Sequence, residues 1–410
     1  MDIMELLRSL IELNLGEYLL SVGTATWIVD LIGVATLATV CMLIVIFLIW
    51  LERKVIARMQ DRIGPNRVGG KYGLLQSVAD ATKLLSKELI TPAGVDRIPY
   101  NLAPVLIVVA SLLTWAVIPV APGVVGVDLN IGVFYILAIS SVSVVTFLLA
   151  GWGSNNKYAL LGAFRAVAQM VSYEVPMIVA LLVPILLARS MSTVDIVEAQ
   201  GIPFIVVVPL SALIFFISAL AETGRTPFDL LEADSEIVAG FHIEYSGMKF
   251  AMFFLAEFLG TLFMSAFFVV IYLGGYRFFG LEDLTVGGLH IGPMIGFIAF
   301  SVKVFLIYFV FIWIRATLPR VRIDQLLNFN WKFLVPLSLV LLLTVAVMDK
   351  LFLADANAVT KAAVLMVTNI VVGWVTIEIL RWRDRDGETA VIPDVVDDAH
   401  GHAHEAVATH

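Results

Sequence analysis

Charge is scarce in this chain. Only 15% of its 410 residues are Asp, Glu, Lys or Arg, against about 25% in a soluble globular domain. Cysteine is scarcer still. Cys41 is the single one, so no intrachain disulfide can form, and the four thiolates of an iron–sulfur cluster are missing. Cys41 lies in an apolar run and reads as a small buried side chain. Motifs are lacking too: no GxGxxG in a strand–helix context, no P-loop, no CxxC and no HExxH. Outside the C-terminal tail the histidines are His242 and His290, and no pair suits axial haem ligation. By itself the chain is expected to hold no FMN, NAD, haem, iron–sulfur cluster or metal, and no residue reads as catalytic. A net charge of -8 argues against nucleic acid as a partner.

What fills the sequence instead is hydrophobic: 60% of the residues. A bilayer core about 30 Å thick takes roughly 20 apolar residues per helix, and nine such runs recur. They are Trp27–Trp50, Leu102–Val120, Ile131–Gly151, Tyr173–Ala188, Pro203–Ala221, Phe250–Leu273, Pro293–Ile314, Phe333–Phe352 and Val359–Leu380. The expected fold is therefore all-α, a polytopic transmembrane bundle. The first run is too long for a signal-peptide core and reads as a true span. Residues 1–25 read as an interfacial segment or a frayed terminus, 26–353 as a core of eight spans, and 354–382 as an extra ninth. The polar tail 383–410 reads as disordered, although His400, His402, His404 and His410 are metal-ligand types.

The connections 51–101, 152–172, 222–249 and 315–332 are long and basic or strongly charged, whereas those on the opposite side hold few Lys or Arg. The positive-inside rule puts the long connections and the tail in the cytoplasm and the N-terminus outside. From Tyr72 to Leu89, Leu74, Leu75, Val78, Ala81, Leu84 and Leu85 recur with helical spacing opposite Gln76, Asp80, Lys83 and Lys87. That pattern is an amphipathic helix at the interface, either a plain surface helix or the frame of an entrance for a lipid-like substrate.

Charges near or inside the spans are the candidates for function, because one at the bilayer centre costs roughly 2.5–3.5 kcal/mol. Here they are Glu52, Glu174, Glu222, Glu257 and Lys303. Glu52 reads equally as a cap paired with Arg53. Glu257 and Lys303 read either as functional groups or as an ion pair that fixes packing. The connection AETGRTPFDLLEADSEIVAGFHIEYSGMK (221–249) is the densest acidic segment. Its Glu232 and Glu236 share one face if helical, and closely spaced carboxylates repel so that one takes up a proton more readily. A proton relay and an ordinary solvated loop both fit this much.

Four stretches resemble the H-subunit family, the quinone-chamber membrane subunits, of proton-translocating NADH:quinone oxidoreductase, respiratory complex I. They are LERKVIARMQDRIGPNRVGGKYGLLQSVADATKLLSKE (51–88), GWGSNNKYALLGAFRAVAQMVSYEVP (151–176), AETGRTPFDLLEADSEIVAGFHIEYS (221–246) and RATLPRVRIDQLL (315–327). The resemblance implies a core membrane subunit whose cytoplasmic connections form half of a quinone tunnel, with quinone as substrate. Peripheral-arm subunits, including iron–sulfur ones, would close the other half, and small and antiporter-like membrane subunits would be neighbours. It implies tunnel roles for Glu52, Arg53, Arg62, Asp80, Lys83, Asp229, Arg315 and Arg320. It implies a proton relay through Arg165, Glu174, Glu222, Arg225, Glu232, Asp234, Glu236, Glu244 and Glu257, to which the depth of Lys303 adds that residue. The location implied is the inner (plasma) membrane. Two departures stand out: Gly224 where the family commonly has Asn, and Asp234 where it has Glu. The alternatives are the equivalent subunit of a membrane-bound hydrogenase or other quinone-linked dehydrogenase, and a stand-alone proton or cation transporter.

Overall fold

Where no water reaches the backbone, each N–H and C=O must be satisfied within its own segment, so long apolar runs become helices. The computed structural model describes residues 22–230, 238–278, 280, 285–286, 289–290, 292–352 and 357–388. The interfacial segment expected before Val22, the C-terminal tail beyond Glu388, and the acidic stretch 231–237 lie outside the described residues. In chain order the helices are α1 (Val22–Met59), α2 (Gln76–Ser86), α3 (Arg97–Leu113), α4 (Gly132–Gly153), α5 (Lys157–Ala188) and α6 (Thr193–Ala199). They continue with α7 (Phe204–Val207), α8 (Pro209–Glu222), α9 (Gly247–Tyr272), α10 (Gly292–Thr317), α11 (Ile323–Leu351) and α12 (Ala358–Glu388). The β structure among the described residues is a two-residue antiparallel pairing, Thr285–Val286 with Leu289–His290.

Eight of these helices are long and apolar enough to cross a membrane: α1, α3, α4, α5, α9, α10, α11 and α12. The fold is the expected all-α polytopic bundle. The fifth expected span, Pro203–Ala221, is corrected: it is not one helix. It breaks at Val208 (φ -131°, ψ 63°) between α7 and α8. Pro209 is the reason, since it lacks an N–H and disfavours helical backbone in the residue before it. The fourth span begins earlier than Tyr173. Residues 157–172, expected in a connection, are the first half of α5, because polar residues such as Arg165 and Gln169 lower hydropathy without ending a helix. In the same way α1 runs on through Glu52, Arg53 and Arg58.

Membrane helices lack a hydrophobic drive to associate with one another, so close packing and hydrogen bonds decide contact. α5 and α8 pack together, and Ala180 on one and Ala212 on the other are both buried. Ser211 Oγ donates to Ala180 O at 2.8 Å and lies 3.0 Å from the Tyr272 hydroxyl on α9. A Cβ on Gly151 would stand 2.4 Å from that of Ala163, so this glycine permits the α4–α5 approach.

The long connections gather at one end of the bundle. Asp96 N donates to Gly153 O (3.0 Å), Asn155 Nδ2 to Gly94 O (2.9 Å), Ile90 N to Ser246 Oγ (3.1 Å) and Val321 N to Pro227 O (3.0 Å). The short connections meet one another at the other end. There Thr193 Oγ1 donates to Val117 O (2.6 Å), and Arg277 Nη1 to Glu198 O (2.7 Å). Helix α2 is amphipathic as expected, but it is shorter than Tyr72–Leu89. Its buried residue is Ser77, with Asp80 half-buried, while Leu74, Leu75, Val78 and Leu85 are exposed. The face turned to the chain carries Gln76, Ser77, Asp80 and Leu84, while Lys83 and Lys87 are exposed along with the other apolar residues.

Candidate functional site

Four ionisable side chains from four elements form a row at the end where the long connections gather. Arg315, near the C-terminal end of α10, pairs with Glu52 on α1. Glu52 also pairs with Arg225, whose Nη1 lies 2.8 Å from its Oε1. Arg225 in turn reaches α9, with Nε 2.9 Å from Glu257 Oε1. The order is positive, negative, positive, negative. Glu52 is 5% exposed and Arg225 3%, and the Arg225 guanidinium sits 4.5 Å from the centre of the Phe258 ring. A buried charge is tolerated when it is paired, and the two central groups each have partners on both sides. Glu52 is thus no interfacial cap on Arg53. Arg53 turns to α2, with Nη1 2.5 Å from Asp80 Oδ2, and Lys83 lies 3.7 Å from the same carboxylate.

Arg225 is aimed by the turn that follows α8. Gly224 has φ +62°, a left-handed backbone that glycine adopts freely and asparagine tolerates best among the others. Glycine and asparagine both suit this conformation. The Thr226–Pro227 peptide is cis. The turn is held on α5 by Gln169, whose Nε2 donates to Ala221 O and Phe228 O at 2.7 Å each.

Beside the row lies a cavity of about 120 Å³. Its lining includes Glu222, Gly224 and Glu257, the hydroxyl residues Ser111, Thr114, Ser140 and Ser143, and the rings of Phe147, Phe241, Phe250, Phe253 and Phe263. Glu222 closes α8, is 8% exposed, and has an Oε2 with no hydrogen-bond partner among the described residues. His242 also lines the cavity, its ring 5.2 Å from that of Phe250. Nearby, Glu174 on α5 accepts from Ser141 Oγ on α4 at 2.9 Å.

The remaining sequence candidates scatter around this centre. Glu244 accepts from Asn156 Nδ2 at 2.7 Å, and Asn156 also caps α5 through Tyr158 N. The Glu244 carbonyl accepts from the Tyr100 hydroxyl at 2.8 Å. Tyr245 stacks on Tyr100, ring centres 4.3 Å apart, and donates to the Tyr100 carbonyl at 3.1 Å. Burial, aided by Tyr100, pushes the Tyr245 hydroxyl above its usual range, so it stays a neutral donor. Arg165 and Asp229 are half-buried, Arg320 is exposed, and Arg62 donates to Gln60 at 2.9 Å. Lys303 stands apart. Its Nζ donates to the carbonyls of Leu273, Gly275 and Arg277 beyond the end of α9, about 18 Å along α10 from Arg315 at 1.5 Å per residue. Glu232, Asp234 and Glu236 lie outside the described residues. Sequence reasoning did not single out Gln169, Asn156 or Ser141; the first two lie inside the 151–176 stretch that carries the resemblance, and Ser141 is a polar residue in an apolar run.

Residues 32–346 match the NADH dehydrogenase family model. A Dehalococcoides mccartyi protein named as the H subunit of NADH-quinone oxidoreductase is 48% identical over 346 residues, covering 84% of this chain and 93% of the relative. The chain belongs to this H-subunit family. Proteins of the same name from Geobacillus kaustophilus and Rickettsia canadensis are 47% and 48% identical, over 78% and 76% of this chain and 93% and 91% of their own. The family match runs from α1 into α11, so it contains the charge row and the cavity, while α12 lies beyond it.

Proposed function

We propose that this chain forms the membrane wall of a quinone tunnel and passes the electrostatic consequence of quinone reduction into the membrane. Family membership makes the chain a multi-pass membrane subunit of NADH-quinone oxidoreductase, with the other subunits of that complex as its partners. The observation that carries the finer reading is the Arg315–Glu52–Arg225–Glu257 row beside the Glu222 cavity.

A quinone reduced near the charged end needs two protons with its two electrons. Carboxylates whose charge is balanced by arginine respond to that demand, because a proton gained by one member changes the hold on the next. Protonating Glu257 would weaken its grip on Arg225 and shift the guanidinium toward Glu52. Glu222, Glu174 and the acidic stretch holding Glu232, Asp234 and Glu236 would extend the relay, with Glu244 and Arg165 at its margin. Arg53, Arg62, Asp80, Lys83, Asp229 and Arg320 would line the tunnel where peripheral-arm subunits carrying iron–sulfur clusters close it. Antiporter-like membrane neighbours would receive the signal. The same reading puts the long connections in the cytoplasm, the N-terminus outside, and the complex in the inner (plasma) membrane, with 26–353 as the functional core and the last span an addition. The test is Glu257→Gln in the assembled complex. Coupled quinone turnover should be blocked, and normal turnover with normal proton pumping would sink the role of Glu257.

A further inference from the structure

Helix α5 meets the Ala221–Phe228 turn with a completely buried amide, Gln169. Its two hydrogen bonds go to the carbonyls at the two ends of that turn. Those carbonyls are already used within the chain's own turn: Ala221 O accepts from Gly224 N at 3.2 Å, and Phe228 O from Leu230 N at 3.0 Å. Each of the two carbonyls therefore has a backbone donor without Gln169, and what the amide adds is the tie to α5. The tie carries a cost. Gln169 Oε1 is buried with no donor among the described residues, and a buried acceptor without a donor is unfavourable. Flipping the amide would be worse, since it would set Oε1 against two carbonyl oxygens. An apolar side chain would fill the space and leave no orphan atom, so packing alone does not call for glutamine here.

The same stretch of α5 is tied in other directions. Ser172 O accepts from Asn330 Nδ2 at 2.6 Å, and the Tyr173 hydroxyl donates to Leu326 O at 3.2 Å. Glu174 follows directly. A movement of α5 at this level would therefore carry the turn, α11 and Glu174 together.

We propose that Gln169 is a positioning residue, which fixes the Ala221–Phe228 turn on α5 so that Arg225 meets both Glu52 and Glu257 while Glu222 faces the cavity. This rests on the reading of the charge row given above. The residue touches no reacting group; it acts through Arg225.

The test uses the assembled complex in its own membranes. NADH oxidation by an artificial acceptor reports electron entry, and NADH–quinone turnover reports the membrane part. Gln169→Leu should keep the first rate and lose the second by about tenfold, since the two lost hydrogen bonds are partly offset by removal of the orphan acceptor. Adding Gln169→Leu to Arg225→Lys should cost little more than Arg225→Lys alone, because both act on the same guanidinium. Gln169→Glu gives a readout that space-filling would not move. Protonated, it donates one hydrogen bond to a carbonyl; ionised, it presents negative charge to two. Its quinone turnover relative to wild type should therefore fall as pH rises. A pH profile of wild-type shape, or losses that multiply in the double variant, overturns the proposal. Where Gln169→Leu does not assemble, the Gln169→Glu profile decides. Full turnover and pumping in Arg225→Met would remove the charge-row reading and the positioning role with it. An impaired Arg225→Lys beside unimpaired Gln169 variants would remove the positioning role alone.

Discussion

Replacing Arg225 by methionine isolates what the charge row is worth. The side chain is 3% exposed and faces Glu52 at 2.8 Å and Glu257 at 2.9 Å. Methionine fills similar volume, so the change is chiefly electrostatic. Glu52 keeps Arg315 as a partner. Glu257 loses its guanidinium but borders the cavity, where it can take up water or a proton. Removing one partner from a buried pair costs about 3–5 kcal/mol, a large part of the roughly 5–15 kcal/mol that holds a typical domain together. We expect Arg225→Met to lower the amount of assembled complex and its thermal midpoint in mild detergent, and to abolish coupled quinone turnover. Electron entry into artificial acceptors should survive in whatever assembles. Adding Glu257→Gln should recover part of the stability, because the stranded carboxylate is then gone, but should not recover turnover. If Arg225→Met assembles with the wild-type midpoint, the row carries no net stabilisation. If the Glu257→Gln addition makes matters worse by the full sum of both losses, the two groups are not coupled as the geometry requires.

Two further outcomes follow from local geometry. Gly224→Asn should be near neutral and Gly224→Val should lose about 1–2 kcal/mol, the cost of a left-handed backbone for a side chain other than glycine or asparagine; equal midpoints for the two variants would contradict the conformational argument. Asp349, 8% exposed near the end of α11, pairs with Lys361 on α12. Lys361→Met should loosen α12 and increase its cleavage by added protease, Asp349→Lys with Lys361→Asp should restore resistance, and unchanged cleavage in the single variant would show that the pair does not hold the helix.

Much of the fold was legible because hydropathy is a local property. Nine apolar runs become eight long helices and one broken one, and Pro209 was in plain view as the breaker. The boundaries shifted where helical backbone continues through charged residues, as in α1 beyond Trp50 and in α5 before Tyr173. Hydropathy records where a chain can meet lipid; it does not record where its hydrogen-bonded spiral ends. That distinction changed the reading of Glu52. At the end of an apolar run it passed equally for an interfacial cap, whereas inside a longer helix it is buried among the neighbouring spans. Lys303 moved the other way. Its depth matched that of Glu257, but depth along a helix says nothing about direction, and its ammonium serves three carbonyls past the end of α9.

By itself the sequence determined the membrane bundle, the sidedness bias of its charges, and membership of the H-subunit family, since composition, run length and motif order are all read along the chain. It also named Glu52, Arg225, Glu257 and Arg315 as candidates. Only the tertiary structure decided that these four stand in one alternating row, because Glu52 and Arg225 are 173 residues apart and Glu52 and Arg315 are 263 apart. Coulomb energy depends on distance through space and on what surrounds the charges, and no spacing along the chain encodes either. The same holds for Gln169, a lone amide in an apolar helix until the Ala221–Phe228 turn is folded against it.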